Sequence, residues 1–178
     1  MAGNPELGGV ERLMSAHHHH RHSTRSLRVG VITASDTRTV DNDESGKVIR
    51  EAMVAAGHVL AHYQVIRDEP DQIAQTVLAR IADLDAIVIN GGTGISPRDS
   101  TFEAVESLLD KKLEGFGELF RMLSYNEIGS AAFLSRATAG VCRGKFLVSI
   151  PGSPAACRLA MEKLLIPELS HIGDLLKL

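Results

Sequence analysis

The chain has 178 residues, 44% of them hydrophobic and 23% charged, with a formal net charge of −3; this is the length and balance of one globular domain. The acidic excess argues against a protein that neutralises many nucleic-acid phosphates, and 4% aromatics without tryptophan argue against a base-stacking platform. No apolar run reaches the ~18 residues of a bilayer span, no apolar h-region marks a secretory signal, and Cys142 and Cys157 fit neither a disulfide scaffold nor a zinc motif, so a cytoplasmic setting is expected.

Residues 1–26 sustain no hydrophobic period and carry five histidines between His17 and His22. They read as a disordered His-rich tail, its cluster either a transition-metal ligand set or a plain polar run. The folded domain is expected over 27–178. Leu27 to Ala34 is a β-branched run, a strand. Val48, Ile49, Ala52, Met53 and Ala56 share one helical face, and Gly57 follows as a stop. Val59 to Ile66 reads as a second strand, and Ile73, Ala74, Val77, Leu78 and Ile81 line a second helix. Ala86 to Asn90 is an apolar run expected to be buried on both faces. It stops at Gly91-Gly92-Thr93-Gly94. Ser100 and Glu103 have capping-box spacing ahead of a helix with Phe102, Val105, Leu108 and Leu109. Phe116, Leu119, Phe120 and Leu123 mark another helix. Thr138 to Cys142 and Lys145 to Ile150 form a predicted hairpin through Arg143-Gly144. Pro151-Gly152-Ser153-Pro154 breaks the chain before a helix carrying Cys157, Ala160, Met161, Leu164 and Leu165, which Pro167 is expected to end or kink. Ile172, Leu175 and Leu176 form a last short stripe.

Strands alternating with helices specify an α/β fold with a parallel sheet covered on both faces. In such folds ligands bind beyond the carboxyl ends of the strands, where the strand order reverses. Four polar loops follow strands: Thr33-Ala-Ser35-Asp36-Thr37, Arg67-Asp68-Glu69-Pro70, Gly91 to Thr101, and Pro151 to Pro154. The glycines of Gly91–Gly94 allow positive φ and close backbone approach, and consecutive N–H groups there could form an anion nest; the alternative is a tight turn. The pattern is neither a P-loop nor a dinucleotide fingerprint. Ser153 sits at an N-cap position with Pro154 in the first turn, which suits an anion or simple capping. Asp68 and Asp99 share the rim with the glycine loop. Magnesium commonly takes one or two carboxylates plus substrate phosphates, so the pair suits metal-assisted phosphoryl or nucleotidyl transfer. In the other reading Asp68 starts a helix and Asp99 pairs with Arg98 or caps. Arg136, beside Ser135, suits bidentate phosphate contact or a solvated surface position.

The run Gly91-Gly-Thr-Gly-Ile-Ser-Pro-Arg-Asp99-Ser-Thr-Phe-Glu-Ala104 resembles the signature of the molybdopterin-binding domain family, which includes MoaB, MogA and the gephyrin G domain. Further matches fall in order: Thr33 to Thr37, Asp43-Glu-Ser45-Gly46, Asp68-Glu69, Leu134-Ser135-Arg136, Ala139-Gly140 and Pro151 to Pro154. The resemblance covers residues 27–173, and Leu113 to Ser124 is closest to the MoaB branch. It implies a three-layer αβα sandwich with a mostly parallel sheet, assembled as a homotrimer or homohexamer. It also implies adenylyl transfer from Mg-ATP to the terminal phosphate of molybdopterin, giving pyrophosphate and an adenylylated pterin for a later molybdenum insertase. Carried over by position, Asp68 and Asp99 are the catalytic and Mg²⁺-holding acids. Gly91, Gly92, Thr93 and Gly94 handle phosphates, with Pro151, Gly152 and Ser153 as a second binding loop, where several relatives have Asn or Gln in place of Ser153. Thr33, Ser35, Asp36, Ser135 and Arg136 face molybdopterin. Two other readings share the signature: a molybdopterin-binding scaffold without efficient turnover, and a CinA-like nucleotide pyrophosphatase.

Overall fold

Three strands bury both of their faces, and this sets the layering. They are β1 (Arg28–Ala34), β3 (Ala86–Gly91) and β6 (Lys145–Pro151), each an almost unbroken run of buried residues. The computed structural model describes residues 23–178; most of the expected tail, with its histidine cluster, lies outside the described residues. Residues 25 and 26 already join the folded body, through Ser26 Oγ donating to Gly57 O at 2.6 Å and Ser170 Oγ to Arg25 O at 2.9 Å.

The sheet has six strands in the order β2-β1-β3-β6-β5-β4. β2 (Val59–Ile66) and β3 both pair parallel with β1, and β6 pairs parallel with β3. β5 (Thr138–Cys142) runs antiparallel to β6, and the two-residue β4 (Lys111–Lys112) antiparallel to β5. The hairpin turn has both central residues at positive φ, Arg143 at 50° and Gly144 at 79°, the geometry that matches the right-handed twist of the flanking strands. The chain steps from β1 outward to β2 and then back across to β3. The order therefore reverses between β1 and β3, opening a crevice at their carboxyl ends.

Strand alternation splits the core in two. Val29, Val31, Ala86, Val88, Val148 and Ile150 face one side, under α1 (Glu44–Ala55), α4 (Glu114–Ile128), α5 (Pro154–Ala160) and α6 (Ile166–Leu176). Ile32, Ala34, Ile87, Ile89 and Leu147 face the other, under α2 (Pro70–Arg80) and α3 (Thr101–Glu106). The expected three-layer α/β architecture is the one observed. Two details differ. Pro167 does not end the helix that opens at Pro154: a π turn at Met161–Leu165 links α5 to α6, and the proline falls in the first turn of α6, where wider spacing accommodates a residue that cannot donate. Leu119 (48% exposed) and Leu175 (67% exposed) turn outward, and Gly117, Leu169 and Gly173 take the buried positions on their helices.

One buried carboxylate ties the start of α1 to the sheet. Asp43 caps α1 by accepting from Gly46 N at 2.9 Å, and its Oδ2 accepts from Thr33 Oγ1 at 2.5 Å and Tyr63 Oη at 2.8 Å. Burial first, and the bond to Asp43 second, push the Tyr63 phenol up to about 12, so it remains a donor throughout the physiological range. Asp43→Ala would remove a cap and orphan two donors. The expected loss is roughly 2–4 kcal/mol in urea unfolding, against about 1 kcal/mol for Tyr63→Phe, which removes a single donor. Equal losses for the two variants would show that Asp43 does no more than receive Tyr63.

Candidate functional site

The carboxyl ends of β1, β2, β3 and β6 surround a cavity of about 320 Å³, lined by residues 33–38, Asp68, residues 90–92, Arg98, Asp99 and Gly152. It lies at the reversal point between β1 and β3. The four loops anticipated on one rim thus do meet, because four adjacent parallel strands deliver their C-terminal loops to the same edge.

Asp68 forms the floor. It stands two residues past β2, 7% exposed, and its Oδ1 accepts from Ser100 Oγ and Thr101 Oγ1, both at 2.9 Å. Burial is the larger influence and raises its carboxyl above the usual range; the Ser100 and Thr101 bonds oppose that, and the neighbouring Asp99 charge adds to it. Asp99 comes from the other side. Its Oδ2 accepts from Ser96 N at 3.0 Å, and Asp99 N donates to Ser96 O at 2.9 Å. Both acids converge on Gly92. A Cβ there would collide with Asp68 Oδ2 and stand 2.8 Å from Asp99 Oδ1. Similarly, a Cβ on Gly94 would lie 2.7 Å from Asp99 Oδ2, and one on Gly91 2.5 Å from Ala34 O.

This changes the reason for the glycines. Gly91, Gly92 and Gly94 have no positive φ; the described glycines that do are Gly57, Gly129 and Gly144. Positive φ, one of the two properties read from their composition, is therefore not what these glycines supply. They are required because two carboxylates and a neighbouring strand occupy the space of side chains. The capping box is also not formed. Ser100 makes no side-chain cap; its hydroxyl serves Asp68, and Glu103 pairs with Arg136. Tertiary partners have taken both groups from the local motif.

Arg136 braces the loop from behind. Its Nε donates to Thr93 O at 2.7 Å and Nη2 to Gly94 O at 2.5 Å, its guanidinium pairs with Glu103, and it lies 4.8 Å above the Phe102 ring. It and Ser135 stand outside the cavity lining, as do Thr93, Gly94, Pro151 and Ser153. Ser153 caps α5, accepting from Ala156 N at 3.2 Å. Gly152 closes the β6 side: its carbonyl accepts from Ser45 Oγ at 2.6 Å, and a Cβ on it would stand 3.3 Å from Gly91 Cα. Ser35 and Asp36 line the cavity. The Ser35 hydroxyl accepts from Thr37 N and Arg38 N at 3.3 and 3.2 Å, and Asp36 is bridged by Arg98 at 2.6 Å, which holds its carboxyl below the usual range.

Five lining residues were not singled out from the sequence as site residues: Ala34, Thr37, Arg38, Asn90 and Arg98. Asn90 could have been noticed, because a polar residue ending an otherwise apolar buried strand needs a tertiary partner. It finds Thr33, whose hydroxyl lies 2.9 Å from the Asn90 side-chain amide and 2.5 Å from Asp43 Oδ2. One hydroxyl proton serves one acceptor, and the carboxylate is the stronger. Asn90 must then turn its NH₂ toward Thr33, which also satisfies a donor that is otherwise buried without a partner. Thr33 is thereby committed to the Asp43 network. Nothing local in the sequence signals Arg38 or Arg98, whose positions depend on how loops cross the rim.

Among the described residues no group of three or more His, Cys, Asp or Glu side chains could hold a metal ion. Two carboxylates beside an open cavity fit magnesium carried in with substrate phosphates and water, rather than a closed protein cage.

Residues 30–171 match the family described as probable molybdopterin binding domain. Molybdenum cofactor biosynthesis protein B of Halalkalibacterium halodurans is 51% identical over 162 residues, 89% of this chain and 95% of that protein. Among solved structures, a crystal structure of molybdenum cofactor biosynthesis protein B superposes with a TM-score of 0.84 at 49% identity, over 86% of this chain and 98% of that one. The tungsten cofactor synthesizing protein MoaB from Pyrococcus furiosus superposes at 0.78 with 35% identity, over 86% and 99% of the two chains.

The raised carboxyl of Asp68 has a sign that can be measured. Below the ordinary carboxylate value the group is neutral folded or unfolded and costs nothing; between that value and its higher folded one the unfolded chain gives up the proton first, so stability falls as pH rises and the penalty is complete above the folded value. Asp68→Asn keeps an acceptor for Ser100 and Thr101 and removes the charge. It is expected to melt higher than the parent at pH 7, with the advantage vanishing by about pH 3, below the usual carboxylate range. A variant less stable than the parent at pH 7 would contradict the burial argument.

Proposed function

The chain belongs to the molybdopterin-binding domain family and acts in molybdenum cofactor biosynthesis, and from that premise we propose that it transfers an adenylyl group from Mg-ATP to the terminal phosphate of molybdopterin. The observation that carries this reading is the convergence of Asp68 and Asp99 on the side-chain-free face of Gly92, beside a cavity at the strand-order reversal. Asp68 and Asp99 would hold Mg²⁺, which when bound supplies positive charge to the reacting phosphates.

The chain's own residues account for the remainder. Ser100 and Thr101 engage Oδ1 of Asp68 and leave Oδ2 turned toward Gly92. The Ser96–Asp99 bonds fix the second acid, and Arg136 holds the carbonyls of Thr93 and Gly94 so that the loop cannot sag into the cavity. Phosphoryl and nucleotidyl transfers require chiefly such positioning and electrostatic stabilisation. A covalent protein intermediate is not required. The thiol nearest the site, Cys157, is buried, donates to Pro151 O at 3.3 Å, and burial pushes it up to about 12, so it is no thiolate nucleophile. The pterin would lie along Ser35 and Asp36, on the β1 side of the acids, with Ser135 and Arg136 beyond the loop.

A trimer or hexamer is part of this reading, and an exposed apolar patch supports it. Met122 and Tyr125 on α4, together with Phe133 at 74% exposure, border a shallow cavity of about 440 Å³. A patch of this kind is usual for an association surface. Light scattering at micromolar concentration is expected to report the closed oligomer, and a monomer would remove this part of the reading.

Incubation with Mg-ATP and molybdopterin is expected to yield adenylylated pterin and pyrophosphate. Asp99→Asn should fold normally yet lose at least ~10²-fold in turnover, the scale of losing one electrostatic catalytic group. Gly92→Ala should lose as much, because its methyl would displace the Asp68 carboxylate. Parental rates in either variant would remove the acid pair from the mechanism. Pterin binding by the parent without product would leave a binding scaffold.

A further inference from the structure

We infer that Arg98 is a polyphosphate-binding arm that exchanges partners, leaving Asp36 and Glu69 for the phosphates of a nucleotide held at the Asp68–Asp99 cavity. The inference rests on the proposed nucleotide reading of that cavity and adds the residue that takes up the end of the phosphate chain, together with the carboxylates that compete for it.

The cavity has a charge problem. Its floor carries Asp68 and Asp99, so a polyanion entering it meets two carboxylates. The cations in its lining are Arg38 and Arg98. Arg98 belongs to the same loop as Asp99 and stands next to it in the chain. Its guanidinium spans the mouth: Nη2 and Nε donate to Asp36 Oδ2 at 2.6 and 3.2 Å, and Nη1 donates to Glu69 Oε1 at 3.1 Å. These bonds join the loop after β3 to the loops after β1 and β2. Arg98 is 63% exposed in its side chain, and Asp36 and Glu69 are 37% and 47% exposed. Ion pairs this wet contribute little to stability and exchange readily.

The contrast with Arg136 is instructive. Arg136 is less exposed and donates to two backbone carbonyls as well as to Glu103. Those carbonyls cannot move away without unmaking the loop, so Arg136 is a fixture of the wall. Arg98 has only flexible carboxylate side chains as ion-pair partners, and a guanidinium fork fits phosphate oxygens in the same two-pronged way. Asp36 and Glu69 therefore occupy the geometry that phosphate would take. They keep the arm extended across the mouth while the cavity is free of polyanion, and they lower the apparent affinity by competing for it.

Competition makes a prediction opposite in sign to direct contact. Calorimetric titration of the full chain with magnesium and inorganic triphosphate is the readout, with KM for ATP against kcat as a second. Arg98→Gln is expected to weaken triphosphate binding roughly tenfold or more, the scale of a charged hydrogen-bonding pair, and to raise KM more than it lowers kcat. Arg98→Lys should recover part of the loss. Asp36→Asn and Glu69→Gln should tighten binding, each by roughly two- to fivefold as expected for loss of an exposed competing pair. Neither should have any effect in the Arg98→Gln background. Weaker binding in Asp36→Asn, or unchanged binding in Arg98→Gln, would overturn the inference. The outcomes separate from those of the adenylyl-transfer reading: adenylylated pterin formed with unchanged triphosphate affinity in Arg98→Gln sinks the arm alone, whereas the full Arg98 pattern without adenylylated pterin sinks the transfer alone. A parent protein that neither binds triphosphate nor forms adenylylated pterin sinks both.

Discussion

The site is organised around a buried carboxylate that occupies the space a side chain on residue 92 would need. Asp68 is held on one oxygen by Ser100 and Thr101 and leaves the other against Gly92. Thr101 N in turn donates to Gly92 O at 3.1 Å. The loop from Gly91 to Thr101 thus folds over the acid it depends on, and Asp99 reaches the same face from the loop's far end. Charge burial of this kind opposes folding. The two hydroxyls and the open cavity make it tolerable, and a cation with phosphates would convert the strained charge into an attractive one.

Charge is arranged in depth. Carboxylates lie on the floor and guanidiniums at the rim and behind the loop. Arg136 and Arg98 sit on opposite sides of the same glycine loop, yet one is locked to backbone and the other tethered to exposed side chains. The difference lies in what each guanidinium's partners would lose by letting go. A backbone carbonyl left half-buried loses a bond that water cannot fully replace, whereas an exposed carboxylate is rehydrated at once. Rigid and exchangeable cations can therefore coexist within one loop's reach.

A second carboxylate, Asp43, anchors the framework that presents this rim. It caps α1, receives Thr33 from the end of β1 and Tyr63 from β2, and through Thr33 reaches Asn90 at the end of β3. Three neighbouring strands, β1 and β3 near their carboxyl ends and β2 from its middle, are joined beneath the cavity by side-chain bonds as well as by the sheet ladder. Such a network rigidifies the floor on which Asp68 and Asp99 are mounted.

Much of this was legible in the chain alone. Strand and helix identities follow from periods of two and 3.6, the double burial of Ala86 to Asn90 from its unbroken apolar run, and the hairpin from Arg143-Gly144. The rule that ligands gather at the carboxyl ends of parallel strands points to the same four loops from the sequence alone. These features depend on neighbours in sequence or on the generic geometry of a parallel sheet, and a sequence carries both. Only the tertiary structure decided which groups would win the polar partners. Ser100 and Glu103 have the spacing of a local cap but bond to Asp68 and Arg136 from other elements. The loop glycines serve close approach rather than positive φ, and Arg98 stands at the mouth because three separate loops cross there. Each outcome is a competition between a nearby partner and a distant one that burial makes stronger, and the strength of the distant partner exists only once the chain has folded.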